Sequence, residues 1–224
     1  MLYSDANIRY ALRKGDLKIE GLREEAVQPA SVDCHLSDRP LKVWAHHGLV
    51  SLDQGMAGTY LKRLPYIVPW RDQADEMAEL PFRQPFGDPD ADHVVVLDPG
   101  QFALASTIER FEIGSKVAGR LEGKSSLARL GLIVHTTAGF FDPGFRGYAT
   151  LELLNVSPRP IVLRPGMPIA QMAFFQMLSA PDHLYDGKYQ DQGADPEASH
   201  YNRNFEAPSP TGEADGLTPG GWPG

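Results

Sequence analysis

The fold class is decided by one stretch, Tyr148-Ala149-Thr150-Leu151-Glu152-Leu153-Leu154-Asn155-Val156. Successive side chains of a β-strand point to opposite faces of the sheet, so residues two apart share a face. Ala149, Leu151 and Leu153 therefore lie on one apolar face. The other face is mixed and carries Glu152 together with Tyr148, Thr150 and Leu154. The stretch predicts a β-strand with a carboxylate in the middle of its more polar face.

Turn-forming residues punctuate the chain on both sides of this strand. Asp142-Pro143-Gly144 precedes it, and Ser157-Pro158-Arg159-Pro160 follows it. Farther out, short apolar or alternating segments recur at roughly 8–12-residue spacing. These segments are 32–36, 94–97, 102–107, 117–121, 132–136, 161–163 and 169–177. Such a series predicts a mainly β fold, either a sandwich, a jelly roll or a barrel.

The first residues carry helix signals instead. Ser4 or Asp5 can cap the N-terminus of a helix, and Gly15 can end it. Ile8 and Leu12 share one face because they are four residues apart. These signals predict a short N-terminal helix over residues 4–14.

Two parts of the chain lack a sustained hydrophobic period. Residues 44–92 contain several prolines and two tryptophans, and we interpret them as a long loop or an insertion. The segment Ala207–Gly224 is rich in Pro, Gly, Ser and Thr, which predicts a disordered tail from residue 206 onward. The remaining residues, 1–205, are long enough to form one domain with a substantial core.

Composition excludes several classes of function. The formal net charge of −8 argues against binding along a nucleic acid, which needs a basic surface. No run of about 18 apolar residues is present, so the sequence predicts no membrane span. A small anionic ligand remains possible, because a few local Lys and Arg side chains are enough to bind it.

The cellular compartment is indicated by the presence of a single cysteine, Cys34, and by the first residues of the sequence. One cysteine excludes an intrachain disulfide framework and a cysteine-rich zinc site, and it favours a reducing compartment. The sequence Met1-Leu2-Tyr3-Ser4-Asp5 lacks the basic and apolar regions of a signal peptide. We therefore expect a cytoplasmic protein.

The stretch Gly123-Lys124-Ser125-Ser126-Leu127-Ala128-Arg129-Leu130-Gly131 is the most informative for chemistry. Helix-start amides and serine hydroxyls can hold phosphate oxygens, and Lys or Arg adds positive charge. The upstream glycine spacing of a Walker A loop is missing. The alternative is a capped turn whose Lys and Arg are solvated.

Three further features each allow a structural and a functional interpretation. Residues 136–145 could form a hairpin whose phenylalanines pack in the core, or a pocket wall against a base and a sugar. Glu152 could be an exposed carboxylate paired across strands, or it could line a cleft. Gln171 could satisfy a backbone neighbour or contact a ligand.

The seven histidines form no metal-binding pattern. A His-x-Glu motif with a Pro-Cys-x-x-Cys partner is absent, which excludes the zinc-dependent type of nucleobase deaminase. A deaminase with this sequence must therefore activate water without zinc. A glutamate that acts first as a base and then as an acid is the natural substitute.

Four ordered blocks resemble the dCTP deaminase family of the dUTPase-like superfamily. They are Gly123–Gly131, His135–Phe145, Thr150–Glu152, and Arg164-Pro165-Gly166-Met167 with Gln171. The similarity extends to Val27–Asp33 and to Lys188-Tyr189-Gln190-Asp191-Gln192, and it covers most of residues 1–205 with an interruption at 44–92. The resemblance implies a distorted β-barrel or jelly roll, assembled as a homotrimer whose sites are shared between subunits.

The resemblance also implies the site residues. Glu152 matches the catalytic acid and base, Ser125 and Arg129 match residues that orient the attacking water, and the Ala138 carbonyl matches a group near that water. The matching nucleotide-binding set is Lys124, Ser125, Ser126, Leu127, Ala128, Arg129, Asp142, Thr150, Leu151, Glu152, Gln171, Tyr185, Lys188 and Gln192. Mg²⁺ is implied as an ion bound through the triphosphate, with no zinc.

The subtype depends on the residues after Ala138. Gly139 and Phe140 resemble the members that deaminate dCTP and also cleave the α–β phosphate bond. Members that only deaminate carry a His-Arg pair there. We therefore expect dUMP, ammonia and pyrophosphate as products, with dUMP supplied for thymidylate synthesis.

Other functions remain open from the sequence. A monofunctional deaminase would release dUTP. A dUTPase would carry a glycine-rich C-terminal motif, and residues 201–205 offer a phenylalanine without the glycines. A non-catalytic nucleotide-binding regulator would use residues 44–92 for a protein partner. The presence of Ser125, Arg129 and Glu152 argues against such a regulator.

Overall fold

The computed structural model describes residues 1–44, 61–64, 67–69, 93–197 and 199. Its strands, in chain order, are β1 Leu17–Glu20, β2 Val27–Gln28, β3 Ser31–His35, β4 Leu41–Trp44, β5 Leu61–Leu64, β6 Ile67–Pro69, β7 His93–Leu97, β8 Phe102–Ile113, β9 Val117–Gly123, β10 Leu132–Ile133, β11 Phe140–Phe141, β12 Arg146–Asn155, β13 Ile161–Leu163 and β14 Pro168–Gln176. The helices are α1 Asp5–Lys14 and α2 Ser125–Ala128, with a 3-10 turn at Glu24–Ala26.

Helix α1 begins and ends as its sequence predicts. The Ser4 hydroxyl accepts a hydrogen bond from the Asn7 backbone N–H, and Gly15 adopts the left-handed conformation (φ 78°) that ends the helix. Ile8 and Ala11 are its buried residues. Ahead of the helix, the Tyr3 N–H donates to the Phe174 carbonyl and the Tyr3 hydroxyl to Gln176 Oε1, so the N-terminus is fixed to β14.

The strands form three antiparallel sheets. The first has six strands in the order β10-β12-β8-β4-β5, and β1 also pairs with the long strand β8. The second has five strands in the order β11-β9-β14-β3-β2, and the third has three in the order β13-β7-β6. This architecture confirms the mainly β fold with a short N-terminal helix.

The two larger sheets share one core. Leu151 and Leu153 of β12 and Phe174 of β14 have no exposed surface. The ring of Phe111, on β8, lies 6.5 Å from that of Phe174 between ring centroids. Burial of this apolar surface is the main source of stability, at about 25 cal/mol per Å². The mixed face of β12 is left on the other side, where the site lies.

A β-bulge lies in the pairing of β8 with β12. The register shifts between Tyr148 and Thr150. At this point the Ala149 N–H donates to the Thr107 hydroxyl (3.1 Å), and that hydroxyl donates to the Glu109 carbonyl (2.8 Å). The Thr107 side chain therefore replaces a ladder bond that the bulge removes.

Two predicted segments differ from the structure. The segment 132–136 is a strand only at Leu132–Ile133. Beyond it, the Val134 carbonyl still accepts from the Glu152 N–H, but the Thr136 N–H donates to the Glu152 side chain and not to a strand backbone. Within 44–92, the described residues lie in strands β4, β5 and β6 rather than in loop. The rest of that range, residues 200–205 and the predicted tail lie outside the described residues.

Candidate functional site

A cavity of about 430 Å³ opens on the mixed face of β12. Its floor comes from neighbouring strands: Thr150 and Glu152 on β12, and Phe102 and Leu104 on β8. Leu104 and Glu152 are direct cross-strand partners, which sets the carboxylate against an apolar side chain. The alternation of β12 therefore carries Glu152 into a cleft and not into open solvent.

Two other segments complete the cavity wall. The segment between β10 and β12, which includes β11, contributes Ala138, Phe140, Phe141, Asp142 and Phe145. The segment after β14 contributes Tyr185, Tyr189, Gln192, Glu197 and Ser199. The result is a largely aromatic cavity with a few carboxylate and amide groups, which is typical of a small-molecule site.

Glu152 is held from one side by Thr136. Its Oε2 accepts hydrogen bonds from the Thr136 backbone N–H (2.9 Å) and from the Thr136 hydroxyl (2.5 Å). Within the described part of the chain, Oε1 of the same carboxylate accepts no hydrogen bond. One carboxylate oxygen is therefore fixed, while the other is available to a ligand or a water molecule.

Gln192 joins the C-terminal segment to β12. Its amide Nε2 donates to the Tyr148 carbonyl (2.7 Å) and to the Thr150 hydroxyl (2.6 Å). Gln192 also forms a parallel bridge with Gly147. This side chain is therefore placed at the cavity, although it comes from a distant part of the sequence.

Tyr185 closes the cavity at another point. Its ring lies 5.9 Å from that of Phe145, and its N–H donates to the Pro143 carbonyl (2.8 Å). A Cβ on Gly144 would lie only 2.8 Å from the Leu184 Cβ, so the turn at 142–144 needs glycine for this close approach. Asp142, at the start of that turn, is exposed and lines the cavity.

Gly139 is buried against β9, whereas Phe140 lines the cavity and is 64% exposed. The Gly139 carbonyl accepts from the Leu121 N–H at 2.7 Å. A Cβ at residue 139 would lie 2.7 Å from the Leu121 carbonyl oxygen and 3.2 Å from His135 Cε1. The glycine is therefore required by close backbone packing, independently of any ligand.

The residues around α2 form a second cluster, outside the lining of this cavity. Ser125, Ser126, Ala128 and Arg129 are exposed, and Leu127 packs against the core. Lys124 Nζ donates to Asp33 Oδ1 at 2.6 Å, in an ion pair that is largely buried. We call residues 124–129, four of which are exposed, the α2 surface.

Gln171 lies next to the α2 surface and is not among the residues that line the cavity. Its amide Nε2 donates to the Gly123 carbonyl (3.1 Å), and its Oε1 accepts from the Ser31 hydroxyl (3.3 Å). Gln171 thus satisfies the backbone just before α2, which is the structural interpretation of this residue. It fixes the β9–α2 junction against β3.

Two other predicted residues have side chains away from the cavity lining. Leu151 is fully buried in the core. Lys188 is half-buried, and its Nζ lies 5.3 Å from the Tyr189 ring centroid. Seven predicted residues do line the cavity: Ala138, Phe140, Asp142, Thr150, Glu152, Tyr185 and Gln192.

Sequence reasoning missed several residues of the site. Phe102 and Leu104 enter through the pairing of β8 with β12, which cannot be read from one strand alone. Thr136 lies within the family block 135–145, but nothing in the sequence marks it as the partner of Glu152. Tyr189 follows Lys188, and nothing in the sequence marks it as a residue of the cavity wall.

Among the described residues, no group of three or more His, Cys, Asp or Glu side chains is placed to hold a metal ion. None of the described helices is long and apolar enough to cross a membrane.

Known proteins resemble this chain over most of its length. The family model described as dCTP deaminase-like matches residues 2–177. A protein of Corynebacterium diphtheriae named dCTP deaminase, dUMP-forming, is 41% identical over 208 residues, which cover 90% of this chain and 99% of that protein. A protein of the same name from Thermobifida fusca is 40% identical over 208 residues, covering 90% and 94% of the two chains.

A solved structure shares the fold. The 2'-deoxycytidine 5'-triphosphate deaminase of Agrobacterium tumefaciens superposes with a TM-score of 0.52 and 21% identity. The match covers 77% of this chain and 46% of that chain. With the family match and the curated relatives, these findings show that the chain belongs to the dCTP deaminase-like family.

Proposed function

We propose that this chain converts dCTP to dUMP, ammonia and pyrophosphate, using the cavity on β12. The observation that carries the proposal is the position of Glu152: a carboxylate held by Thr136, with one free oxygen, in an aromatic cavity. Relatives that match nearly the whole chain are named for this reaction. Residues 1–205 act as one catalytic domain.

Glu152 acts as both base and acid in the deamination. Its free oxygen takes a proton from a water molecule while the water oxygen bonds to C4 of the cytosine. Glu152 passes that proton to N3, which gives an intermediate with both a hydroxyl and an amino group on C4. The proton of the C4 hydroxyl then moves by way of Glu152 to the exocyclic nitrogen, and the C4–N bond breaks to leave C4=O and ammonia. Water and dCTP are consumed, and a uracil nucleotide and ammonia are formed, so no other reactant is needed.

Ser125, Arg129 and the Ala138 carbonyl orient the water and stabilise charge at the base. Ala138 lies at the cavity of the same chain, whereas Ser125 and Arg129 lie on the α2 surface. A complete site therefore requires the α2 surface of a neighbouring subunit. This separation supports a homotrimer in which Lys124 to Arg129 of one subunit serve the cavity of the next.

The second reaction cleaves the bond between the α- and β-phosphates. A water molecule attacks the α-phosphorus in line with the leaving pyrophosphate, and Asp142 is the exposed carboxylate that can orient it. Gly139 adds no side chain beside the phosphates, and Phe140 packs under the sugar. The nucleotide is held by Thr150, Tyr185, Lys188 and Gln192, by the backbone at Leu151, and by Gln171 through the α2 surface.

Mg²⁺ fits this donor set as an ion carried by the triphosphate. Magnesium prefers oxygen ligands and keeps several waters, so it needs no dedicated protein cage. Lys188 and Gln192 would hold the triphosphate that carries it. The ion neutralises negative charge on the phosphate oxygens. The reaction supplies dUMP for thymidylate synthesis, and we place it in the cytoplasm.

One incubation tests the function. Purified protein and Mg²⁺ are mixed with dCTP, and in a parallel sample with dUTP, and ammonia, pyrophosphate and nucleotides are measured over time. We expect ammonia, pyrophosphate and dUMP in equal amounts. Stoichiometric dUTP without pyrophosphate would mean deamination alone, cleavage of dUTP but not of dCTP would mean a dUTPase, and no turnover of either would indicate a regulator.

A further inference from the structure

The C-terminal segment 185–192 crosses the cavity in an unusual backbone conformation. Asp191 has φ 57°, and among the described residues it is the one non-glycine residue with a positive φ. This conformation costs energy for most side chains, although Asp and Asn tolerate it best. Something must therefore hold the chain in this shape.

Arg146, at the start of β12, makes the contacts that do so. Its Nε donates to Asp191 Oδ1 (3.0 Å) and its Nη2 to Asp191 Oδ2 (2.8 Å), which is a bidentate pair. The Asp191 N–H donates to the Arg146 carbonyl (2.8 Å), and the Arg146 N–H donates to Gln190 Oε1 (3.0 Å). Arg110 Nη2 adds a longer contact of 3.7 Å to Asp191.

The residue after Asp191 reaches the cavity. Gln192 is buried, its backbone pairs with Gly147, and its side chain bonds to the Thr150 hydroxyl. A Cβ on Gly147 would lie 2.9 Å from the Gln192 nitrogen, so the glycine permits this close approach. The ion pair at Asp191 and the cavity residue Gln192 are therefore adjacent along the chain.

We propose that Arg146 and Asp191 form a latch that holds segment 185–192 on β12 and so positions Tyr185 and Gln192 at the cavity. Both are positioning residues, because neither lines the cavity. The proposal rests on the proposed function, since it takes the cavity as the nucleotide site. Arg146 and Asp191 are each about half exposed, so the latch can open and is weakened by salt.

Opening the latch should raise KM more than it lowers kcat. If the segment is closed for a smaller fraction of the time, the apparent affinity for nucleotide falls by that fraction. Glu152 and Thr136 are not attached to the latch, so the chemical step in the closed complex is unchanged. A general loss of structure would instead lower kcat and the unfolding midpoint together.

The test uses Asp191→Asn and Arg146→Gln, which remove one charge each. Asn also tolerates the left-handed conformation, so the backbone is not newly strained. Arg9→Gln is the matched control, because Arg9, on α1, forms an ion pair at the surface with Glu24 of the 3-10 turn. Asp191→Gly also removes the carboxylate, and in addition it removes the strain of the positive φ. Comparison of Asp191→Gly with Asp191→Asn therefore separates the effect of the backbone strain from that of the lost ion pair.

Two measurements are made on full-length protein. The first is amide hydrogen exchange of residues 188–193 without nucleotide, which we expect to be about three- to tenfold faster in both latch variants and unchanged in Arg9→Gln. The second is steady-state turnover of dCTP. We expect about a three- to fivefold higher KM and a kcat within about twofold of wild type, with the KM difference shrinking between about 0.05 and about 0.5 M NaCl.

The outcomes separate the latch from the function. Unchanged exchange in Asp191→Asn and Arg146→Gln would overturn the latch, and faster exchange with an unchanged KM would overturn its positioning role. If wild-type protein does not turn over dCTP, the proposed function fails. The exchange result then still decides whether Arg146 and Asp191 hold the segment.

Discussion

At the scale of single residues, Glu152 has an apolar neighbour and a hydrogen-bonding neighbour. Leu104 is its cross-strand partner, and Thr136 fixes one of its carboxylate oxygens by two hydrogen bonds. A carboxylate fixed in this way has its free oxygen directed without loss of side-chain entropy during the reaction. Thr136 is therefore part of how the base is positioned.

Glu152→Gln should remove ammonia release while preserving nucleotide binding. The amide oxygen of the variant can still accept both hydrogen bonds from Thr136, so the cavity keeps its shape, but the group can no longer take a proton. We expect deamination of dCTP to fall by about 10²- to 10⁴-fold. Ammonia release and nucleotide titration measure the two effects, and Glu20→Gln on β1 is the control. Near-wild-type deamination by the variant would refute the assignment.

Gly139→Ala should destabilise the fold as well as the site. The added Cβ would lie 2.7 Å from a backbone oxygen of Leu121, which cannot move independently of β9. We expect the free energy of unfolding to fall by about 1–3 kcal/mol, as for other overpacked positions. Denaturant unfolding at a fixed protein concentration measures it. Gly193→Ala, where nothing lies within 4 Å of the new Cβ, should change little.

Many residues of the site could be predicted from the sequence, but not which of them lie together in space. Alternation along β12 places Glu152 and Thr150 on one face, and the family resemblance identifies Tyr185 and Gln192. The division into a cavity and an α2 surface depends on which strands are neighbours, and a single strand does not encode its register with another. Thr136 was missed for the same reason.

At the scale of elements, strand β3 carries a buried cysteine and, next to it, a histidine that is bonded to a buried carboxylate. Cys34 is fully buried, and burial raises the pKa of its thiol well above the ordinary value, with further contributions from the nearby carboxylates Glu109 and Asp33. On the same strand, the His35 N–H donates to Glu109 Oε2 (2.9 Å) and its ring Nδ1 lies 2.7 Å from Oε1. β3 is thus fixed to β8 by side chains as well as by the core.

Cys34 should be inert to thiol reagents in the folded protein. Its raised pKa and its burial both keep the reactive thiolate scarce, so we expect no labelling by a disulfide reagent at about pH 8 until the chain is unfolded, when one thiol per chain reacts. Labelling of the native protein at the rate of a free thiol would contradict the burial of β3.

The same shift has a defined pH dependence. Because the pKa is higher in the folded state, the stabilisation it brings is complete below the unfolded-state value and is lost as pH rises toward the folded-state value. The difference in unfolding free energy between wild type and Cys34→Ala should therefore fall from about pH 8 to about pH 10. A difference that grows over this range would contradict the sign of the pKa shift.

Most of the helices and strands could be predicted from their hydrophobic period and from the turn-forming residues between them. Helix α1 and strands β3, β7, β12, β13 and β14 lie where the hydrophobic period and the Pro and Gly residues indicate. The β-branched residues of 132–136 predict a longer strand than the one observed, because the Thr136 N–H bonds to the Glu152 side chain and not to a neighbouring strand. Propensity cannot register a contact of that kind.

At the scale of the whole molecule, the cavity and the α2 surface of one chain call for a shared site. If each site takes Glu152 from one subunit and Arg129 from the next, two inactive variants can restore each other. Mixing Glu152→Gln with Arg129→Ala, after dissociation and reassembly, should recover about a quarter of wild-type activity, since a quarter of the interfaces in random trimers join two intact halves.

The control for this mixing is each variant reassembled alone, which should stay inactive. Light scattering of the same samples should give the mass of three chains. Activity that does not rise on mixing, or full activity in a monomer, would contradict sharing of the site between subunits.

The attachment of the N-terminus to β14 bears on how the protein is made. Tyr3 hydrogen-bonds with Gln176, a residue 173 positions later in the chain. Tyr3 is therefore synthesised well before its partners on β14, the last of the described strands, and such long-range pairing is slow to form. During synthesis on the ribosome, the segment around Tyr3 therefore cannot form its native contacts with Phe174 and Gln176 until β14 has also been made.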